Sequence, residues 1–135
     1  MLEIKKVVSC FIECGGCLLL LKRSEKVGTY KGKWATVSGY LERPPDEQAY
    51  IELKEEVGLS EQDVTLIRCG EVLEIEDSEI GLKWLVHPYL FKLKNSGRIN
   101  IDWEHREYKW VLPEDVASYH TVPGLDEALA RVYPV

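Results

Sequence analysis

The sequence has little methionine and phenylalanine, no excess of positive charge and no long hydrophobic run near its start. The apolar stretch nearest the N-terminus, residues 17–21, is far too short for a membrane span or a signal-peptide core, so we expect a cytoplasmic protein without a membrane partner. The net charge of −6 argues against a protein that wraps nucleic acid, because such binding requires a basic face. Repeats, linkers and low-complexity stretches are also absent, so one domain is predicted over residues 1–135.

A second closely spaced cysteine pair is missing. The cysteines are Cys10, Cys14, Cys17 and Cys69, and the gap between Cys14 and Cys17 is that of a zinc knuckle or a redox motif. The intervening Gly15-Gly16 favours a two-residue hairpin turn instead, since both glycines accept the positive φ of such turns. Such a turn places Cys14 opposite Cys17, close enough for a disulfide where the compartment allows one.

The remaining pattern predicts strands on both sides of one strong helix. That helix begins at Pro44-Pro45 with acids in its first turn, and it ends at Val57 before the capping Gly58. Strands are predicted at 4–14, 17–23, 34–39, 64–75, 82–94 and 108–112, with a short helix at 113–116 and a closing helix at 125–132. This order indicates an α/β fold in which a mixed sheet packs between helices.

The charge is unevenly distributed along the chain. Residues 42–56 carry six acids against two bases, whereas residues 22–33 carry five bases against one acid. Within the acidic segment, Glu52, Glu55 and Glu56 are spaced i, i+3 and i+4, which puts them on one helix face. Such a face is usually solvated, and the three carboxylates repel each other unless a hard divalent cation removes that cost.

The acidic helix and the turn before it resemble a known motif, the box of the Nudix hydrolase family. The family pattern is glycine, five residues, Glu, seven residues, then Arg-Glu-aliphatic-any-Glu-Glu-any-Gly-aliphatic. Residues 52–59, Glu-Leu-Lys-Glu-Glu-Val-Gly-Leu, match the last eight positions without a gap, and Gly39 matches the first. The strand and loop before the box, and the later segment 104–111 with its Glu-His and Tyr-any-Trp, are also similar to the family. The resemblance implies the family's α/β/α sandwich with a mixed β-sheet.

The chain departs from the family pattern at two positions of the box. Two residues are missing around Pro44-Pro45, so the first box glutamate has no counterpart, and Ile51 stands where the arginine belongs. The resemblance implies that, in the family, this arginine orients a metal-binding glutamate and pairs with the early glutamate of the box. Losing both together avoids leaving one charge unpaired.

The resemblance implies hydrolysis of the pyrophosphate bond of a nucleoside diphosphate linked to another moiety, with Mg²⁺ or Mn²⁺ as cofactor. Glu52, Glu55 and Glu56 match the family's metal-ligand positions, and Glu55 and Glu56 are also assigned to catalysis. Glu104, at the late Glu-His motif, is the candidate general base. Glu107 is the alternative base, and both acids also fit ordinary exposed positions.

The basic segment supplies candidates for binding a nucleotide-type small molecule. Arg23, Lys31 and Lys33 fit neutralisation of the substrate's phosphates, with Arg23 and Lys33 as the preferred pair, although a solvated loop explains the same charges. Trp103, in a polar loop, is the candidate stacking platform, whereas tryptophans in strands are more typical of a core. The histidines show no metal-ligand spacing and are expected to make ordinary hydrogen bonds.

Two further interpretations stay open beside the active enzyme, which we expect to be a monomer or a homodimer. One is a nucleotide or sugar-phosphate sensor with weak catalysis, motivated by Ile51 and the missing glutamate. The other is an interaction domain, based on a likeness of residues 122–125 to Nudix domains joined in archaea to proteins related to an initiation factor subunit.

Overall fold

The computed structural model describes residues 1–94 and 99–133. The strands are β1 (Glu3–Cys14), β2 (Cys17–Arg23), β3 (Trp34–Ala35), β4 (Val37–Tyr40), β5 (Val64–Cys69), β6 (Leu73–Asp77), β7 (Leu82–Leu93) and β8 (His105–Val111). The helices are α1 (Pro45–Val57) and α2 (Leu125–Val132), and the segments Glu61–Asp63 and Pro113–Ser118 form 3-10 helices. No helix of these described residues is both long and apolar enough to cross a membrane.

The strands join into one mixed sheet around a central parallel pair. β1 runs parallel to β7, with Glu3 opposite Leu82 at one end and Glu13 opposite Lys92 at the other. The main path is β3-β2-β1-β7-β5, to which β4 adds on β1, β6 on β7 and β8 on β2. All pairings other than β1 with β7 are antiparallel, so the predicted mixed sheet is confirmed.

Each face of the sheet is covered by one helix. Along β1, Val7 and Phe11 point into a core that includes the buried face of α2, whereas Val8, Cys10 and Ile12 point into a second core that includes the buried face of α1. This alternation follows from the two-residue period of a strand. Cores on both faces make the predicted α/β/α sandwich, which the structure confirms.

Local signals in the sequence set the bounds of α1. Pro45 occupies the first turn, where its missing N–H costs nothing, and Asp46 and Glu47 lie at the positive end of the helix dipole. The helix ends at Gly58, whose left-handed φ of 72° lets its N–H reach Lys54 O at 3.1 Å while Leu59 N–H reaches Leu53 O at 3.1 Å. The predicted helix is therefore confirmed at both ends.

The first hairpin is also confirmed. Cys14 lies opposite Cys17, and Gly15 and Gly16 adopt φ values of 59° and 85°, as the two-residue turn requires. The thiols of all four cysteines are free.

Two predicted strands are each divided in two. The strand at 34–39 is interrupted at Thr36, whose hydroxyl donates to Cys10 O at 2.6 Å. The strand at 64–75 breaks into β5 and β6 opposite Pro88, whose carbonyl accepts from Gly70 N–H at 2.9 Å. Because proline has no N–H to donate on that side, the ladder along β7 cannot continue through this point.

Candidate functional site

A cavity of about 430 Å³ lies where β4, α1, the loop before β8 and the loop after β2 meet. Four acidic side chains line it, together with one guanidinium and four aromatic rings: Glu42, Glu52, Glu55, Glu104, Arg23, Tyr30, Tyr40, Trp84 and Trp103. Its volume lies within the range of small-molecule sites. The cavity thus brings the acidic helix together with groups suited to bind a charged aromatic ligand.

Glu52 is held between the turn after β4 and the helix interior. Its side chain is only 9% exposed and packs so tightly over Gly39 that a Cβ at position 39 would overlap its carboxyl group. Its Oε2 accepts a hydrogen bond from Gln48 Nε2 at 2.8 Å. Gly39, the glycine of the box, therefore leaves room for the carboxylate of Glu52.

Glu56 is buried more deeply, with 2% of its surface exposed. Its Oε1 accepts from Ser38 N–H at 3.4 Å and lies 3.6 Å from His105 Nε2, while its Oε2 has no hydrogen-bond partner. Burial and the neighbouring carboxyl group of Glu52 raise the pKa of Glu56 well above its usual value. A carboxylate in this position needs a proton or a cation.

His105 closes the same site from the start of β8. Its ring is buried, and burial lowers its pKa, so the ring is neutral at pH 7. Its Nδ1 lies 3.3 Å from Asp102 Oδ1 and its Nε2 lies 3.6 Å from Glu56 Oε1, so a neutral ring, which carries one N–H, can donate to only one of the two carboxyl groups. The other ring nitrogen then faces a carboxylate oxygen as a second acceptor, and a proton or a cation between them would satisfy both.

Glu104 completes the acidic group from the loop before β8. Ligand atoms of Glu56, Glu104 and His105 lie within 4.8 Å of one another, the one such group of three or more in residues 1–94 and 99–133, and it contains no cysteine. Burial and the nearby Asp102 raise the pKa of Glu104, while Arg23 acts in the opposite direction. Ser24 holds this loop, since its hydroxyl donates to Trp103 O at 2.8 Å and its N–H to Glu104 O at 2.7 Å.

The three box glutamates have different surroundings. Glu55 is exposed at the rim of the cavity, whereas Glu52 and Glu56 point toward the sheet. Carboxylate oxygens are the ligands that Mg²⁺ and Mn²⁺ prefer. The buried atoms Glu56 Oε2 and His105 Nε2 have no hydrogen-bond partner, so both could bind a cation. The donor set thus fits a divalent cation.

Only some of the candidate substrate-binding residues line the cavity. Arg23 lines the cavity, with its Nε donating to Thr29 O at 2.9 Å, and Trp103 lines it with 61% of its surface exposed. Lys33 is outside the lining, and its ammonium lies 5.6 Å from the ring centre of Tyr30. Glu107 is exposed on β8 and pairs with Lys22 at 3.8 Å, away from the cavity lining.

Sequence reasoning missed two contributors. Trp84 was assigned to the core as a strand aromatic, yet it is half-buried on the cavity wall, with Tyr40 stacked 6.2 Å away. His105 was assigned an ordinary hydrogen-bonding role, yet it faces the buried glutamate. Its position directly after Glu104 was the available signal for His105, and no local signal distinguished Trp84 from a core residue.

Comparison with known proteins agrees with this architecture. The family model described as NUDIX domain matches residues 4–133. The nucleoside triphosphatase NudI of Salmonella paratyphi B is 30% identical over 126 residues, covering 85% of this chain and 86% of that protein.

Solved structures share the fold at lower identity. An Ap4A hydrolase of C. elegans in a binary complex has a TM-score of 0.79 and 24% identity, covering 94% of this chain and 93% of that one. The MutT protein of Methanosarcina mazei Go1 has a TM-score of 0.77 and 24% identity, covering 96% and 93%. With the family model matched along nearly the whole chain and the glutamate-bearing helix in place, this chain belongs to the Nudix family of pyrophosphohydrolases.

Proposed function

We propose that this protein hydrolyses the pyrophosphate bond of a nucleoside triphosphate, a dinucleoside polyphosphate or a nucleotide sugar, using Mg²⁺ or Mn²⁺. The observation that carries the proposal is that one cavity combines the carboxylates of Glu52, Glu55 and Glu104 with one guanidinium and several aromatic rings. The similarity to a nucleoside triphosphatase supports a nucleotide as substrate.

Glu52, Glu55 and Glu56 would hold the cation, with Glu104 and His105 adjacent. When bound, a divalent cation supplies charge neutralisation at phosphoryl oxygens and lowers the pKa of water. The protein's part is to fix two of these carboxylates in place, through the packing of Glu52 over Gly39 and the burial of Glu56.

Glu104 is the proposed general base. It is half-buried on the cavity wall, and one of its carboxylate oxygens lies within 4.8 Å of a ligand atom of Glu56. The pKa of Glu104 is raised toward neutral pH, and a general base is most effective when its pKa lies near the operating pH. Two hydrogen bonds from Ser24 to its loop hold it in place.

The rest of the cavity suits a nucleotide. Arg23 contributes the guanidinium that lines the same cavity as the glutamates, and it is positioned to meet phosphate oxygens. Tyr30, Tyr40 and Trp84 form an aromatic wall in which Trp84 Nε1 donates to the Tyr30 hydroxyl at 3.0 Å, and Trp103 offers a second ring. Such rings stack on nucleobases without requiring one base sequence or type.

The test is a turnover assay with purified protein and Mg²⁺ or Mn²⁺. The panel contains nucleoside triphosphates, dinucleoside polyphosphates, ADP-ribose and nucleotide sugars, and the release of phosphate or pyrophosphate is measured. We expect turnover that falls at least about 100-fold in Glu56→Gln, because loss of a ligand should cost no less than the 10- to 100-fold typical of the residues that orient ligands. Glu47→Gln, an exposed acid in the first turn of the same helix, is the matched control.

Binding of panel members without turnover would contradict the proposal and favour the sensor interpretation. Equal turnover in Glu56→Gln and Glu47→Gln would show that the activity does not come from this site.

A further inference from the structure

Gln48 is a buried amide one helical turn before Glu52, and each of its polar atoms has a partner. It is 4% exposed. Its Nε2 donates to Glu52 Oε2 at 2.8 Å, and its Oε1 accepts from the backbone N–H groups of Glu42 and Arg43, both at 3.1 Å. These bonds fix the orientation of the amide, because a flip would set oxygen against carboxylate and NH₂ against two N–H donors.

The hydrogen bonds of Gln48 lie at the part of the box that departs from the family pattern. The arginine and the first glutamate of the box are both missing, with half-buried Ile51 at the arginine position and a connection shortened by two residues. The two N–H groups that Gln48 accepts from belong to that shortened connection, between β4 and α1. One side chain thus joins the altered loop to the cation-binding glutamate.

We propose that Gln48 is the positioning residue of Glu52 and replaces the missing arginine and glutamate. A neutral donor held by two backbone N–H groups orients the carboxylate without adding a buried charge that would need a partner of its own. The inference deepens the proposed function and rests on it only in taking Glu52 as a cation ligand.

Two substitutions separate positioning from a purely structural role. Gln48→Glu keeps oxygen acceptors for both N–H groups of the loop but no longer donates to Glu52. Gln48→Met keeps a similar length and removes all three hydrogen bonds. If Gln48 only anchors the loop, Gln48→Glu behaves as the wild type, whereas positioning requires that both variants be defective.

The readout is the Kd for Mn²⁺, measured without substrate by titration calorimetry or by the resonance signal of free Mn²⁺, with thermal unfolding of the metal-free protein as the folding check. We expect the Kd to rise at least about 10-fold in both variants. The added charge of Gln48→Glu would by itself attract the cation, so weaker binding runs against simple electrostatics. Gln62→Glu, at an exposed position, is the matched charge control.

The inference is overturned if Gln48→Glu binds Mn²⁺ as the wild type and Gln62→Glu do, or if the wild type binds no Mn²⁺. Should Gln48→Met fail to fold, Gln48→Glu alone decides. Failure of the proposed function looks different, because the wild type would then bind Mn²⁺, the Gln48 variants would bind it more weakly, and no member of the substrate panel would be turned over.

Discussion

The contact between Gly39 and Glu52 predicts that a single added methyl group will disable the site. The backbone of Gly39 is outside the left-handed region, so alanine can adopt it without strain. The added Cβ would lie 2.6 Å from Glu52 Cγ and would overlap the carboxyl group, and the three heavy atoms nearest to it all belong to Glu52. The penalty of Gly39→Ala therefore falls first on the position of Glu52.

The size of the displacement follows from the contact distance. Ordinary van der Waals contact begins at 3.4 Å, so Glu52 Cγ must withdraw by at least about 0.8 Å, which is the difference between 3.4 and 2.6 Å, and the carboxyl atoms, which lie closer, must withdraw further. A misplacement of about 1 Å in a catalytic group costs roughly 100-fold in rate. We therefore expect kcat/KM to fall about 100-fold in Gly39→Ala and the affinity for Mn²⁺ to fall with it.

A double-mutant cycle tests whether the loss passes through Glu52. Glu52→Ala removes the three side-chain atoms that lie nearest to the alanine methyl group. We expect Gly39→Ala to cause little further loss of Mn²⁺ affinity in the Glu52→Ala background, because two residues in contact give non-additive effects. Gly28→Ala is the control for the Mn²⁺ titration, since Gly28 is on the same cavity wall with open space around an added methyl group.

Equal fold-losses of Mn²⁺ affinity from Gly39→Ala in the wild-type and Glu52→Ala backgrounds would refute this reasoning. So would a Gly39→Ala protein with unchanged kcat/KM and unchanged Mn²⁺ affinity.

Two further predictions concern the other acids of the site. Burial raises the pKa of Glu56, so between the usual carboxyl value of 4.5 and that raised pKa the folded state holds a proton that the unfolded state releases. Its contribution to the free energy of unfolding of the metal-free protein therefore declines as pH rises above about 4.5, and urea unfolding in a chelator should show a flatter pH dependence in Glu56→Gln; identical slopes would contradict this. Glu104→Gln should lower kcat by about 100- to 10,000-fold as the loss of a general base, while Glu107→Gln, an exposed acid paired with Lys22, should leave kcat unchanged. Intact turnover in Glu104→Gln would end its proposed role.

The sequence predicted those elements whose signals are local. The start of α1 at Pro45 and its end at Gly58 depend on residues at the helix ends themselves, and the turn at Gly15-Gly16 depends on two glycines. The break between β5 and β6 was not predicted, because its cause is Pro88, which belongs to another strand.

For the candidate site, the sequence predicts which residues take part but not the environment of their side chains. The spacing of the glutamates puts them on one helix face, yet spacing does not reveal that Glu52 and Glu56 face the sheet and are buried. Gln48 and Ile51 look unremarkable in sequence, and the role of Gln48 depends on a hydrogen-bond network across a loop and a helix turn. Tertiary packing determines these properties, so a pattern along the chain does not contain them.

The acidic residues of the segment 42–56 have opposite effects on the stability of the fold. Asp46 and Glu47 favour the helix start, and Asp46 also accepts a hydrogen bond from Tyr89 at 2.6 Å. Glu52 and Glu56 are buried, and neither forms an ion pair with a Lys or Arg of residues 1–94 and 99–133.

Nor does the basic segment at 22–33 neutralise these two glutamates as a block. Lys22 pairs with Glu107 and Lys33 lies against Tyr30, so of these three cations only Arg23 lines the cavity. Burying two carboxylates without a cationic partner lowers the stability of the metal-free fold. Destabilising features of this kind are typical of functional sites. Under the proposed function, the attraction of phosphates would therefore come from one guanidinium and from the bound cation, rather than from the charge of the basic loop as a whole.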